Sequence, residues 1–275
     1  MTEAPRGYTE WVGTPSTSAP IGVIAADELR RVRNNVWTFL AVGAGVAWGV
    51  ASTIELYQIK QAGAATHDLQ GFLDMLGQLQ WFTLVAAAII GAPMLLEDAR
   101  RGALELYLSR PVTRLQHLAG KALALTWLCL MVFLLPILLY AAGAYIFFDD
   151  QPEGWTAAPW VALPYVVLWS VAVCGLALGV SCLARSGRAA SLLLIGGAVT
   201  LHIIATTLLP NLTESTWPAI LSPFNAMQAI QPWLWPSIQA DDFPAWWGLA
   251  EMLALAVVGW GLVARFHPRL RGEGP

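Results

Sequence analysis

Charge is what this sequence has least of. Only 12% of its 275 residues are Asp, Glu, Lys or Arg, against 57% hydrophobic, and the mean hydropathy is +0.57. A soluble domain carries about 25% charged residues, so too little is present to cover a water-facing surface. A disordered chain is excluded on the same ground, because it combines low hydrophobicity with high charge. Paired cysteines are also missing. Cys129, Cys174 and Cys182 are odd in number, show no CxxC spacing and fall inside apolar runs. That argues against a disulfide framework or a zinc site and for small core residues. Residues 1–20 are rich in Pro, Ser, Thr and Gly without an apolar stretch, so no signal peptide is expected and they read as a loose tail. No HExxH motif occurs. No phosphate-binding loop occurs either: the only Gly-Lys, Gly120-Lys121, is followed by Ala122 and lacks the upstream glycine. The remaining class is an all-α integral membrane protein with several spans.

A span needs about 20 apolar residues. Six runs qualify: Val36–Ile54, Leu79–Leu96, Ala122–Phe148, Leu163–Ala184, Ala189–Leu209 and Trp246–Phe266. Lipid offers no partner to an open backbone, so all six are predicted to be helices. Pro136 predicts tilt or a kink in the third. Gly91 and Pro93 predict a break at the end of the second. Lys and Arg set the orientation. Arg6, Arg30, Arg31 and Arg33 precede the first span, and Arg100, Arg101, Arg110, Arg114 and Lys121 lie between the second and third. Arg185 and Arg188 lie in the four–five turn, and Arg265, Arg269 and Arg271 at the end, so 14 of the 15 basic residues share one side. The other side has Lys60 with Asp68, Asp74, Asp149, Asp150, Glu153, Glu214, Asp241 and Asp242. By the positive-inside rule both termini are cytoplasmic, in a plasma (inner) membrane. An even span count agrees with that.

The expected organisation is a tail (1–20), an interfacial helix (21–35), a six-span domain (36–266) and a cytoplasmic tail (267–275). In the interfacial helix Ile21, Ile24, Ala25 and Leu29 recur at helical spacing opposite Asp27, Glu28, Arg30 and Arg31. This predicts an amphipathic helix on the inner leaflet. Trp37 and Trp127 are expected at inner span ends, and Trp81, Trp155, Trp160, Trp246 and Trp247 at outer ends, as interfacial belts. Gly45-x-x-x-Gly49 and Gly175-x-x-x-Gly179 permit close helix packing and hint at dimerisation. Residues 210–245 contain no Lys or Arg, six prolines, and Trp217 and Phe224 among their aromatics. They read as re-entrant or interfacial segments capping the outer face. Intramembrane ionisable residues are few. His202 beside Thr200, Thr206 and Thr207, and Glu251 in the last span, are candidates for a substrate pathway with Trp217 and Phe224.

The stretch 97–121 is the most informative. It is dense in charge, with Leu104, Leu108 and Leu115 on one face and Glu97, Arg101 and Glu105 on another. Pro111 ends that helix at Arg110. A plain connecting loop would need no such two-faced helix. The pattern runs Glu97, Gly102, Leu104, Glu105, Leu108, Ser109, Arg110, Pro111, Val112 and Arg114, then Gly120 and Lys121. It resembles the signature of ABC-2 type transporter permeases, particularly short six-span permeases of the copper-enzyme-maturation and multidrug-export type. The lead-in Glu28-Leu29-Arg30-Arg31-x-Arg33-Asn34 and the span count match too. The outer loop departs: Ser222-Pro223-Phe224-Asn225-Ala226-Met227-Gln228 stands where such permeases often carry a charged turn, so it gives no guide to substrate.

The resemblance implies a coupling helix over 97–111 that docks on a separate ATPase subunit. Glu97, Arg100, Arg101, Gly102, Glu105, Arg110 and Pro111 would face or shape that contact, and Leu104 and Leu108 would anchor it to the spans. It implies a second permease copy or sister permease, the lipid bilayer as surroundings and no nucleic acid. It implies no cofactor in this chain, ATP and Mg being bound by the partner. It also implies no enzyme activity here, and a substrate moved by a borrowed energy source, most simply in export.

Two other function classes compete. Gly179-Val180-Ser181-Cys182 with His202 superficially suggests an intramembrane serine protease. However, Ser181 lies about three residues and His202 about 14 residues from the same membrane face, a depth difference of roughly 15 Å at about 1.5 Å per residue. A base must sit within about 3 Å of its nucleophile. A secondary transporter would show an inverted repeat and paired intramembrane charges, and neither is visible.

Overall fold

In a computed structural model of the chain, residues 20–63, 70–100, 113–148, 158–213, 221–225, 230 and 245–266 are described. Their helices are α1 (Pro20–Arg33), α2 (Val36–Gln61), α3 (Gln70–Ala86), α4 (Met94–Arg100), α5 (Arg114–Phe147), α6 (Ala158–Leu183), α7 (Gly187–Ile203), α8 (Leu209–Thr213) and α9 (Ala245–Phe266). Wide π turns at Ala87–Gly91 and Ile204–Leu208 extend α3 and α7. No strand occurs among the described residues. Six stretches are long and apolar enough to cross a membrane: Val36–Gln61, Gly71–Arg100, Leu115–Phe147, Pro159–Leu183, Gly187–Thr213 and Trp246–Phe266. The six-span all-α architecture expected from the sequence is the one observed.

Side-chain caps set several starts. The Asn35 carboxamide oxygen accepts from the Trp37 amide (3.0 Å) at α2, and the Ser186 hydroxyl accepts from Ala189 (3.1 Å) at α7. Thr113 and Gln116 form a reciprocal capping box at α5. That box starts α5 at Arg114, eight residues before the apolar run begins at Ala122. Hydropathy registers only the lipid-facing length, so the polar extension was invisible to it. At 34 residues α5 is about 51 Å long. This exceeds a hydrocarbon core of about 30 Å. Pro136 lies inside the helix, and in the second span the π turn ending at Gly91 and a turn at Ala92–Pro93 interrupt the regular helix before α4 resumes within the same apolar stretch.

α3 and α6 are the most enclosed spans, while α2, α7 and α9 carry exposed apolar faces (Phe39, Leu40, Leu192, Leu193, Val257 and Val258). Such surface belongs against lipid or another membrane protein. Both small-residue motifs are occupied within the chain. A Cβ on Gly45 would lie 3.0 Å from the Val132 carbonyl and one on Gly49 2.7 Å from Pro136 Cα, so α2 presses on α5. Gly175 meets the Trp260 ring and Gly179 meets Gly259 and Leu262, so α6 and α9 run alongside each other in the same direction.

Two placements differ from expectation. The buried face of α1 is Ile24, Glu28 and Val32, at i, i+4, i+8, and it packs on α5. Glu28 therefore lies inside, not on the polar face, because α5 offers it a cation. Trp81 is not in an outer belt: its ring stacks on Phe224 at a centroid distance of 3.6 Å. Trp37, Trp127, Trp160 and Trp246 are exposed as belts require, and Trp155 lies outside the described residues.

Candidate functional site at the basic end of the bundle

The α1–α2 turn, α4, the start of α5 and the α6–α7 turn gather at one end of the bundle. At their centre is Lys121, which is fully buried. Its Nζ donates to Glu28 Oε1 of α1 at 2.5 Å and to Asp98 Oδ2 of α4 at 2.7 Å. His117, one turn earlier on α5, places Nε2 3.2 Å from the same Asp98 oxygen. Arg31 of α1 pairs with Glu97 and sits 3.7 Å from Asp98 Oδ1. One cluster thus joins three helices through four buried ionisable side chains (Glu28, Asp98, His117 and Lys121) and a half-exposed outer pair.

Local sequence explains the geometry. His117 and Lys121 are spaced i, i+4, so both emerge on one face of α5. Gly120 opens the approach: a Cβ there would lie 2.6 Å from Ile24 Cγ2, so the missing side chain lets α1 come close enough for Glu28 to reach the lysine. Asp98, on α4, meets both Lys121 and His117 of α5. A buried ion cluster of this kind adds little net stability relative to an apolar replacement, but breaking it is costly. Its effect is to fix which faces meet.

α4 is gripped from the other side as well. The Leu96 amide donates to the Ser181 hydroxyl at 3.3 Å, Arg100 Nη2 donates to the Arg185 carbonyl at 2.9 Å, and Pro93 packs where Gly187 has no side chain. The head of the 97–121 stretch is therefore a crossbar between the α1–α5 pair and the α6–α7 turn.

Of the residues singled out from the sequence, Glu97 and Arg100 fall in this crossbar. Arg101, Gly102, Leu104, Glu105, Arg110 and Pro111 lie outside the described residues, as does Trp217. His202 and Phe224 meet at the opposite end. His202 Nδ1 is 2.7 Å from the Ser222 hydroxyl, and its ring stands edge-on to Trp81 and Phe224 (5.5 and 5.4 Å between centroids). The Trp169 indole donates to Thr83 at 2.9 Å just below. Ser222, Pro223 and Phe224 are buried, so this piece of the outer loop plugs the space between α3, α6 and α7. Glu251 is elsewhere, on α9 near Tyr165 of α6. Ser181 and His202 hold different partners, Leu96 and Ser222, so they form no nucleophile–base pair. An apolar cavity of about 200 Å³ lies beside the plug, lined by Leu84, Trp169, Leu176, Leu201, Phe224 and Leu255.

Sequence reasoning missed Glu28, Asp98, His117 and Lys121 as a unit. The available signal was the His117–Lys121 spacing next to a glycine at the start of an apolar run. Among the described residues no group of His, Cys, Asp and Glu has metal-binding geometry.

No curated protein matches the chain. The model of the family described as "ABC-2 family transporter protein" matches residues 24–266, from the buried face of α1 to the last residue of α9. That range takes in all six spans and every member of the ion cluster. The chain belongs to the ABC-2 family of transporter proteins, the membrane permease components of ABC transporters.

Proposed function

We propose that this chain is the permease of an ATP-driven exporter and that segment 97–121 is its coupling element, docking on a separate ABC ATPase that binds ATP and Mg. The observation carrying this reading is the crossbar. Lys121 and Asp98 tie α4 to α1 and α5, while Ser181 and Arg185 tie it to the α6–α7 turn. A push on residues 97–111 is then delivered to both sides of the bundle together instead of bending a loop. Alternating access in a family of this kind needs such a rigid input, and two permeases, identical or sister, would share the work. The basic end faces the cytoplasm of the inner membrane, as the 14 basic residues argue. The apolar cavity beside Phe224, whose lining carries no charged residue, favours an amphiphilic or apolar substrate. A role for Trp217 and Glu251 in that path rests on the sequence alone.

Co-purification tests the coupling assignment. The tagged chain brings down its ATPase subunit, and Arg101→Glu or Leu104→Asp lowers the recovered ATPase by at least fivefold with the permease itself folded. Full recovery in both variants would contradict the assignment. Counterflow in liposomes without ATP would instead mark an ATP-independent carrier.

A further inference from the structure

We infer that the cleft between α1, α2 and α5 is a binding site for one anionic phospholipid of the leaflet at the basic end. The cleft measures about 480 Å³, within the roughly 300–1,000 Å³ of ligand clefts. Arg30 and Arg33 stand on its rim, and Val42, Trp127, Leu128 and Met131 make its wall. One side of the site is therefore cationic and the other apolar, the division a phospholipid needs.

Three observations select this occupant. First, charge: Arg31 is engaged by Glu97 and Asp98, but Arg30 and Arg33 have no acidic partner among the described residues. Both are exposed at i, i+3, on the α1 face turned away from the ion cluster. Second, depth: counting back about 20 residues from Phe147, the length that crosses a hydrocarbon core, reaches Trp127 and Leu128. The rim thus falls at the headgroup level and the wall at the first carbons of the chains. Third, Trp127 in the wall and Trp37, next in sequence to the lining residue Thr38, are half-exposed, as interfacial tryptophans are. Basic pockets between helices on a membrane's cytoplasmic side bind anionic headgroups through this combination. The bound lipid would fill the gap between α1 and the spans, and so support the helix that carries Glu28.

The test uses the full chain alone in phosphatidylcholine vesicles, without an ATPase, so its failure leaves the permease assignment standing. Phosphatidylglycerol or phosphatidylcholine with brominated chains is titrated in. The Trp127 share of the fluorescence is taken as the difference from Trp127→Phe. Expected is half-quenching of that share at a roughly tenfold lower mole fraction of the brominated anionic lipid. Arg30→Gln/Arg33→Gln abolishes the preference, Arg30→Lys/Arg33→Lys retains most of it, and Arg188→Gln/Arg265→Gln leaves it intact. Equal quenching by the two lipids overturns the site. So does a preference that survives the Arg30/Arg33 exchange to glutamine or disappears with the Arg188/Arg265 pair.

Discussion

Replacing Lys121 with methionine keeps most of the apolar stem and removes the ammonium group that meets Glu28 and Asp98. The side chain is fully buried, so water cannot take over its role. Two carboxylates lose their cation, but unequally. Asp98 keeps His117 at 3.2 Å and Arg31 at 3.7 Å. Glu28 is paired with no other cation among the described residues and is left without a counter-ion in a closed space. Removing one partner of a buried pair costs about 3–5 kcal/mol. The melting temperature in detergent should therefore fall on the order of 10 °C. Because the loss is concentrated on Glu28, neutralising that residue too should restore stability. Glu28→Gln/Lys121→Met is expected to melt higher than Lys121→Met alone, recovering about half of the deficit, although it carries one more substitution. The assay is thermal unfolding of the purified chain followed by fluorescence, for the wild type, the two single variants and the double. If the double variant loses the sum of the two single losses, Glu28 and Lys121 are not coupled and the crossbar argument fails with them.

Two further predictions concern packing. Gly49→Ala pushes a Cβ to 2.7 Å from Pro136 Cα, where backbone must give way, and should cost about 1–3 kcal/mol, whereas Gly43→Ala meets nothing within 4 Å and should be near neutral. The same melting assay checks the pair, and the reverse order would show that α2 does not press on α5 there. At the outer end, Phe224→Ala removes a buried ring stacked on Trp81 and should cost about 3–5 kcal/mol. Ser222→Ala removes the hydroxyl that meets His202 and accepts from the Phe224 amide at 3.3 Å, and should cost about 1–2 kcal/mol. A Ser222→Ala loss equal to that of Phe224→Ala would mean that the Ser222 hydroxyl, not the ring stack, holds the plug.

The six spans could be read from the sequence because hydropathy is additive: each residue of a run such as Leu163–Ala184 argues for lipid on its own account. The gathering of basic residues at one end and the two small-residue motifs are equally local, since a missing side chain at Gly45 or Gly179 is visible without knowing what fills the space. What fills it is a different kind of fact. That Pro136 faces Gly49, or that Trp260 crosses Gly175, depends on pairing between helices.

The candidate site divides in the same way. Glu97 and Arg100 were recognisable from a charged segment between two spans, because such residues belong at a membrane surface wherever the chain turns. Glu28 was assigned to solvent for the same reason, and wrongly. Its burial depends on Lys121, 93 residues away, on a notch at Gly120, and on α4, whose Asp98 reaches the same nitrogen. A charge in isolation has only one cheap environment, which is water. It acquires a second when tertiary packing delivers a counter-charge to within about 3 Å. Composition and periodicity therefore decided where this chain meets lipid, and the folded arrangement alone decided which of its few charges were withdrawn from water to lock α1, α4 and α5 together.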